Sequence, residues 1–161
     1  MTVAGYLKIF NMKLEDYTIS HIATVQEGLI KMEKVDIHSL VVIDGVGDVV
    51  GTFSKTDFIR KSALQARISE KMKVHEVMNS NVVHVEMGNE LEQCFKVMHR
   101  YNLTELPVIK DRKLQGILRA TNVACHLLDE HESLIEQLNV YICGSQLSHP
   151  IIRKHKFLIA S

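Results

Sequence analysis

Cysteine is scarce here, and the few present follow no pairing pattern. Cys94, Cys125 and Cys143 are the only three in 161 residues, odd in number, widely spaced and without a Cys-x-x-Cys. This argues against a disulfide framework and for free thiols in a reducing compartment, at least two of them expected in the core. An excess of one charge is also lacking. Nineteen basic and nineteen acidic residues give a formal net charge of zero, so neither a nucleic-acid nor a membrane-surface partner is expected. No apolar run approaches the roughly 20 residues that span a bilayer. Met1 to Phe10 lacks the basic start and long apolar stretch of a signal peptide, which sets the expectation of a cytoplasmic protein. Nucleotide-loop motifs are missing too. There is no Walker A sequence, and Gly45-x-Gly47-x-x-x-Gly51 misses the dinucleotide fingerprint by a residue, within a hairpin. The nine histidines include no His-Glu-x-x-His, and His126 and His131 fall on different helix faces, so no metal site is expected. Apart from the acid of one Ser-x-x-Asp motif, no cysteine, serine or lysine has a visible partner that would activate it as a nucleophile. Catalysis is not expected.

What the sequence does contain, it contains twice. Leu40-Val41-Val42-Ile43, a polar turn, and Val49-Val50-Gly51-Thr52-Phe53-Ser54-Lys55-Thr56-Asp57 form the first copy. The second is Leu106-Pro107-Val108-Ile109, a polar turn, and Leu114-Gln115-Gly116-Ile117-Leu118-Arg119-Ala120-Thr121-Asn122. Leu40 and Leu106 stand 66 positions apart, as do Met12 and Met78, Ile19 and Val85, Leu29 and Phe95, and Met32 and Met98. Gly51 and Gly116 are 65 apart, so the first copy's turn is one residue longer. Two copies are too few for a solenoid and point to a pair packed face to face. The apolar content of 46% suits a globular chain, long enough to bury a sizeable core.

Apolar periodicity changes in the same order within each copy. Val25, Leu29 and Met32, like Leu91, Phe95 and Met98, have helical i, i+4, i+7 spacing. Leu40 to Ile43 and Leu106 to Ile109 read as strands buried on both faces, each followed by a hairpin turn and a second strand. Shorter helices are expected from about Thr56 to Ser62 and Thr121 to Leu128. Tyr17-Thr18-Ile19 and Val83-His84-Val85 alternate like a leading strand. Each copy is thus β-α-β-β-α, and the fold class is mixed α/β (α+β). The expected organisation is copy 1 over 1–62, an amphipathic linker helix over 63–73 and copy 2 over 74–128. A C-terminal helix and tail follow over 129–161. Leu64, Ile68 and Met72 stripe the linker. Leu134, Ile135, Leu138 and Ile142 stripe a helix from Asp129 that ends at Gly144.

Val77-Met78, the Leu-Pro-Val-Ile strand and Gly-x-hydrophobic-Ser/Thr-x-x-Asp resemble a cystathionine-β-synthase (CBS) domain. The likeness runs from about Lys8 to Ser62 and from about Val74 to Leu128, so the chain resembles a tandem CBS pair, or Bateman module. The resemblance implies two repeats packed with pseudo-two-fold symmetry. It also implies a cleft between them for an adenosine compound, either AMP, ADP, ATP or S-adenosylmethionine, and regulation of an attached effector domain or partner protein. Such pairs commonly form flat homodimers through their helices. Gly51, Ser54 and Asp57 match the family's ribose-contacting positions. Thr52 and Thr56 resemble residues lining the same pocket, and His38 stands where the family often places a basic residue facing phosphates. Tyr17, Thr18 and Ile19 resemble the strand beside the adenine.

The motif's chemistry stands on its own as well. Gly51 permits close backbone approach where strand meets helix. A carboxylate at Asp57 can accept from two vicinal hydroxyls, while a serine hydroxyl both donates and accepts, which suits a ribose. A different reading is a capping box, in which Ser54 caps the helix and Asp57 favours its positive end. The two are compatible. The second copy departs from the pattern, because Arg119 replaces the serine and Asn122 the aspartate. Arginine cannot cap a helix and would crowd a ribose, so one competent site is expected, with the other sealed. A sensory module and a structural dimerisation module with a decayed site are the two readings this leaves. An enzyme acting on a nucleotide is a distant third.

Overall fold

The computed structural model describes residues 1–10, 12–65 and 71–143. The chain forms two units, Met1–Cys125 and His126–Ser161. The first unit holds nearly all of the repeated sequence. It opens with helix α1 (Val3–Ile9), then a 3₁₀ turn over Leu14–Tyr17 and strand β1 (Thr18–Ser20). Helix α2 (Val25–Val35), strands β2 (Ser39–Ile43) and β3 (Val49–Ser54) and helix α3 (Lys55–Gln65) complete the first copy. A single turn α4 (Val74–Val77) leads to α5 (Leu91–Tyr101), β4 (Glu105–Lys110), β5 (Lys113–Arg119) and α6 (Ala120–Cys143). The mixed α/β pair of repeats read from the sequence is what forms.

Local chemistry explains where the elements start and stop. Thr24 begins α2 with a capping box. Its Oγ1 accepts from the Glu27 amide at 3.2 Å, and Glu27 Oε2 accepts from the Thr24 amide at 2.7 Å. Those bonds from Thr24 hold the Glu27 carboxyl below the usual range. Helices α2 and α5 both end on a left-handed residue, Asp36 (φ 55°) and Asn102 (φ 51°), 66 positions apart. Both types tolerate that conformation without glycine. β2 and β3 pair antiparallel, as do β4 and β5, with register shifts at the equivalent steps Val42/Ile43 and Val108/Ile109. The second hairpin turns tightly on Asp111 and Arg112, both at positive φ. The longer first turn is closed by Asp44, whose Oδ1 accepts from the amides of Asp48 (2.8 Å) and Val46 (3.0 Å).

Both copies contribute to one core. Leu40, Val41, Val42 and Phe53 of the first sheet pack with Met32 and Ile37, with Val74 and Val77 of α4, and with Ile117 of the second sheet. Hairpin tips are tied across the copies. Asp48 pairs with Arg112 (3.1 Å) and Lys113 (2.8 Å), and the Val49 amide donates to the Arg112 carbonyl at 2.8 Å.

The structure departs from the sequence reading at several places. Helix α1 was not expected, and it attaches to the second copy. The amides of Val3 and Ala4 donate to the carbonyls of Asn89 and Met87, both at 2.9 Å, while Val3 and Tyr6 are buried. Tyr17 closes a 3₁₀ turn rather than opening a strand. Val83 to Val85 is not a strand, and only Val85 bridges to Val108. Of the linker-helix stretch, 63–65 belongs to α3, 66–70 lies outside the described residues, and Lys71 to Lys73 are not helical. Cys94 is buried but Cys125 is exposed. Val123 is buried.

The second unit's described part, 126–143, is helical. Leu128, Leu134, Ile135 and Leu138 are exposed along it. The tail from Ile151 to Ser161 lies outside the described residues.

Candidate functional site

The segment from Asn79 to Val85 builds the site, because it crosses from one sheet to the other. At its start Asn79 exchanges backbone bonds with Thr52 of β3, at 2.8 and 2.9 Å. At its end the Val85 amide donates to Pro107 of β4 at 3.1 Å, and the Ile109 amide donates back to Val85 at 2.9 Å. Beneath the crossing lies a cleft of about 570 Å³, within the range of small-molecule sites. The first copy supplies His38, Ser39, Thr52 and the start of α3 from Ser54 to Asp57, with Arg60 one turn on. The second supplies Asn79, Asn81 and Val83, the end of α5 at Tyr101 and Asn102, and Leu103, Thr104, Glu105 and Pro107.

Five of the residues singled out from the sequence meet in this cleft: His38, Thr52, Ser54, Thr56 and Asp57. Gly51 lies directly behind the wall. A Cβ there would come within 2.7 Å of Met78 Sδ and 3.0 Å of the Asn79 carbonyl oxygen. The crossing segment can lie this close only because position 51 has no side chain. Tyr17, Thr18 and Ile19 are not brought to the cleft. Tyr17 and Ile19 are buried in the core and Thr18 pairs with Val41. Their counterparts 66 positions on are Val83 to Val85, and Val83 does line it. The flanking segment thus comes from the opposite copy to the motif.

The capping geometry is present. The Asp57 amide donates to Ser54 Oγ at 3.0 Å, and Ser54 Oγ–H donates to Asp57 Oδ2 at 2.6 Å. Asp57 Oδ1 remains available to the cleft, so capping fixes the carboxylate instead of consuming it. Lining the same cleft is Glu105, which sequence reasoning missed although it stands 66 positions after Ser39. Glu105 Oε2 accepts from Ser39 Oγ (3.0 Å) and Thr104 Oγ1 (2.5 Å). His38, expected to face phosphates, has its Nδ1 3.9 Å from Glu105 Oε1. Lys55 pairs with Glu33 at 3.2 Å. In the second copy Arg119 Nη2 donates to the Asp36 carbonyl at 3.1 Å, reaching the counterpart of Asn102. Among the described residues no group of three His, Cys, Asp or Glu side chains is placed to hold a metal ion. No described helix is long and apolar enough to cross a membrane.

Comparison with known proteins agrees with the fold. The profile of the CBS domain matches residues 10–64 and 74–129. A mitochondrial CBS domain-containing protein of Arabidopsis thaliana, CBSX3, is 26% identical over 125 residues, covering 75% of this chain and 61% of that protein. An uncharacterized 17.7 kDa protein of Acidianus ambivalens is 31% identical over 116 residues, covering 71% of this chain and 69% of that protein. Among solved structures, the CBS-domain containing protein ATU1752 from Agrobacterium tumefaciens superposes with a TM-score of 0.68 at 23% identity. It covers 78% of this chain and 98% of its own. The CBS domain pair of the protein MJ0100, solved with 5′-methylthioadenosine and S-adenosyl-L-methionine, gives 0.64 at 23% identity, covering 81% and 98%.

Proposed function

The chain belongs to the CBS-domain family, whose paired domains are regulatory modules, and on that premise we propose that it senses an adenosine-containing ligand in the Ser54/Asp57 cleft. One observation carries the reading: Asp57 is fixed at the mouth of a cleft whose opposite wall belongs to the other copy. A ligand holding its ribose on Asp57 touches both copies, so its binding free energy depends on how they sit together. That dependence is what a sensor requires, since a ligand shifts an equilibrium only by its differential affinity for the two states. The adenosine derivatives held by MJ0100, a protein of the same fold, support the ligand class. AMP, ADP, ATP and S-adenosylmethionine are the candidates, and an effector domain or partner protein would read the change.

Thermal shift with those four compounds tests the reading. A ligand at 100 times its dissociation constant stabilises by about 2.7 kcal/mol, and Asp57→Ala should erase the shift. No shift with any of them would leave the second reading, a structural homodimerisation module. That reading has its own support in the exposed Leu128, Leu134, Ile135 and Leu138.

A further inference from the structure

Glu105 is an unusual residue to find in a cleft that is to receive a nucleotide. Its side chain is 4% exposed, and the cationic candidate within 4 Å is His38, 63% exposed with Nδ1 3.9 Å away. Both hydroxyl donors, Ser39 and Thr104, bond to Oε2. Oε1 has only the His38 amide at 3.5 Å and that distant imidazole. A carboxylate offers about four acceptor positions, and a buried one that is incompletely paired gains from any donor or cation brought to it. If Glu105 served only to clamp the two copies, a glutamine carbonyl would accept the same two hydroxyl bonds. The charge is surplus to the clamp.

Glu105 also lies close to the ribose anchor. Ser39 and Ser54 are partners in the β2–β3 register, which places their side chains side by side on one face. Ser39 bonds to Glu105 and Ser54 to Asp57. Two carboxylates therefore flank one serine pair. Of the cations nearby, Lys55 is engaged by Glu33, Arg119, the β4–β5 partner of Glu105, is engaged by the Asp36 carbonyl, and Arg60 is exposed at the cleft.

We propose that Glu105 makes this cleft selective for adenosine compounds whose ribose substituent is cationic or uncharged, such as a sulfonium or an amine, and against those bearing phosphates. The proposal rests on the adenosine reading above. A phosphate joined to a ribose on Asp57 enters the field of both carboxylates, where the repulsion is stronger than in bulk water. A cation gains there what the phosphate loses.

Calorimetric titration of the whole chain with adenosine, AMP, ATP and S-adenosylmethionine tests this. Wild type should bind S-adenosylmethionine at least as well as adenosine, and about tenfold or more tightly than ATP. Glu105→Gln, which keeps the clamp, should shrink that ratio about tenfold. A second measurement needs no variant: raising the salt should narrow the wild-type ratio, because screening weakens both the attraction and the repulsion. If adenosine binds but ATP binds more tightly than S-adenosylmethionine, or the ratio ignores both Glu105→Gln and salt, the selectivity proposal falls alone. If adenosine and its derivatives all fail to bind wild type, the adenosine reading falls and takes this one with it.

Discussion

A single carboxylate distinguishes the motifs of the two copies. Asp57 is locked by Ser54 with one oxygen left for a ligand, while Asn122, its counterpart, follows an arginine that bonds to the Asp36 carbonyl. Hydrogen bonds to a charged group contribute about 1.5–3 kcal/mol. Asp57→Ala should therefore weaken adenosine ligands about 10- to 150-fold, and Asn122→Ala should change little. Calorimetry on both variants decides, and equal losses would contradict a one-site protein. The two motif glycines also part company. A Cβ at Gly51 meets the Asn79 carbonyl oxygen, which is held by the Thr52 amide. At Gly116 its three nearest contacts are all with the side chain of Leu7, Cδ1 nearest at 2.5 Å, and a leucine tip can rotate away. Overpacking against fixed backbone costs about 1–3 kcal/mol. Gly51→Ala should lower the melting temperature by several degrees and more than Gly116→Ala, and it should disturb the cleft wall as well.

At the scale of elements, the first hairpin turn shows how a surface carboxylate shapes a connection. The Asp48 amide, then the Val46 amide and the charges of Lys113 and Arg112, hold the Asp44 carboxyl below its usual range. A depressed folded value means stability present above the unfolded carboxylate value of about 4 and lost as pH falls through the folded one. Urea melts of wild type and Asp44→Asn should differ at neutral pH and converge in acid. A gap that stays constant down to strongly acidic pH would show that Asp44 acts through turn geometry and not through charge. The second hairpin solves the same problem without such a group, using two consecutive left-handed residues. The repeats thus share a strand pairing while their turns obey different local chemistry.

At the scale of the whole molecule, the open question is what covers the exposed Leu128, Leu134, Ile135 and Leu138. Their spacing makes a stripe of the kind that pairs helices, and a homodimer through it is the expected outcome. Light scattering should give twice the chain mass, and Ile135→Glu should return a monomer. If α6 also relays the ligand signal, hydrogen exchange between Asp129 and Leu138 should slow when ligand binds. Exchange indifferent to a bound ligand would leave a passive binding domain.

The sequence by itself determined the repeat, the helix-strand-strand-helix order shared by its copies and the asymmetry between its two motifs. These depend on local periodicity and residue type, which a 66-residue offset lays side by side. It located Ser54, Asp57, Thr52, Thr56 and His38 for the same reason, since strand end and helix start are adjacent in the chain. Tertiary structure alone decided which flank closes which cleft. Tyr17 to Ile19 and Val83 to Val85 are equivalent by pattern, and only the bridges of Asn79 to Thr52 and Val85 to Val108 carry the second of these across to the first motif. Helix α1 was hidden similarly, because its first amides find their partners at Met87 and Asn89 and seven residues show no long period of their own. Nothing in the sequence singles out Glu105. Burial against Ser39, Thr104 and His38 gave it a role, because a charge acquires meaning from what desolvates it, and that is a property of the folded pair.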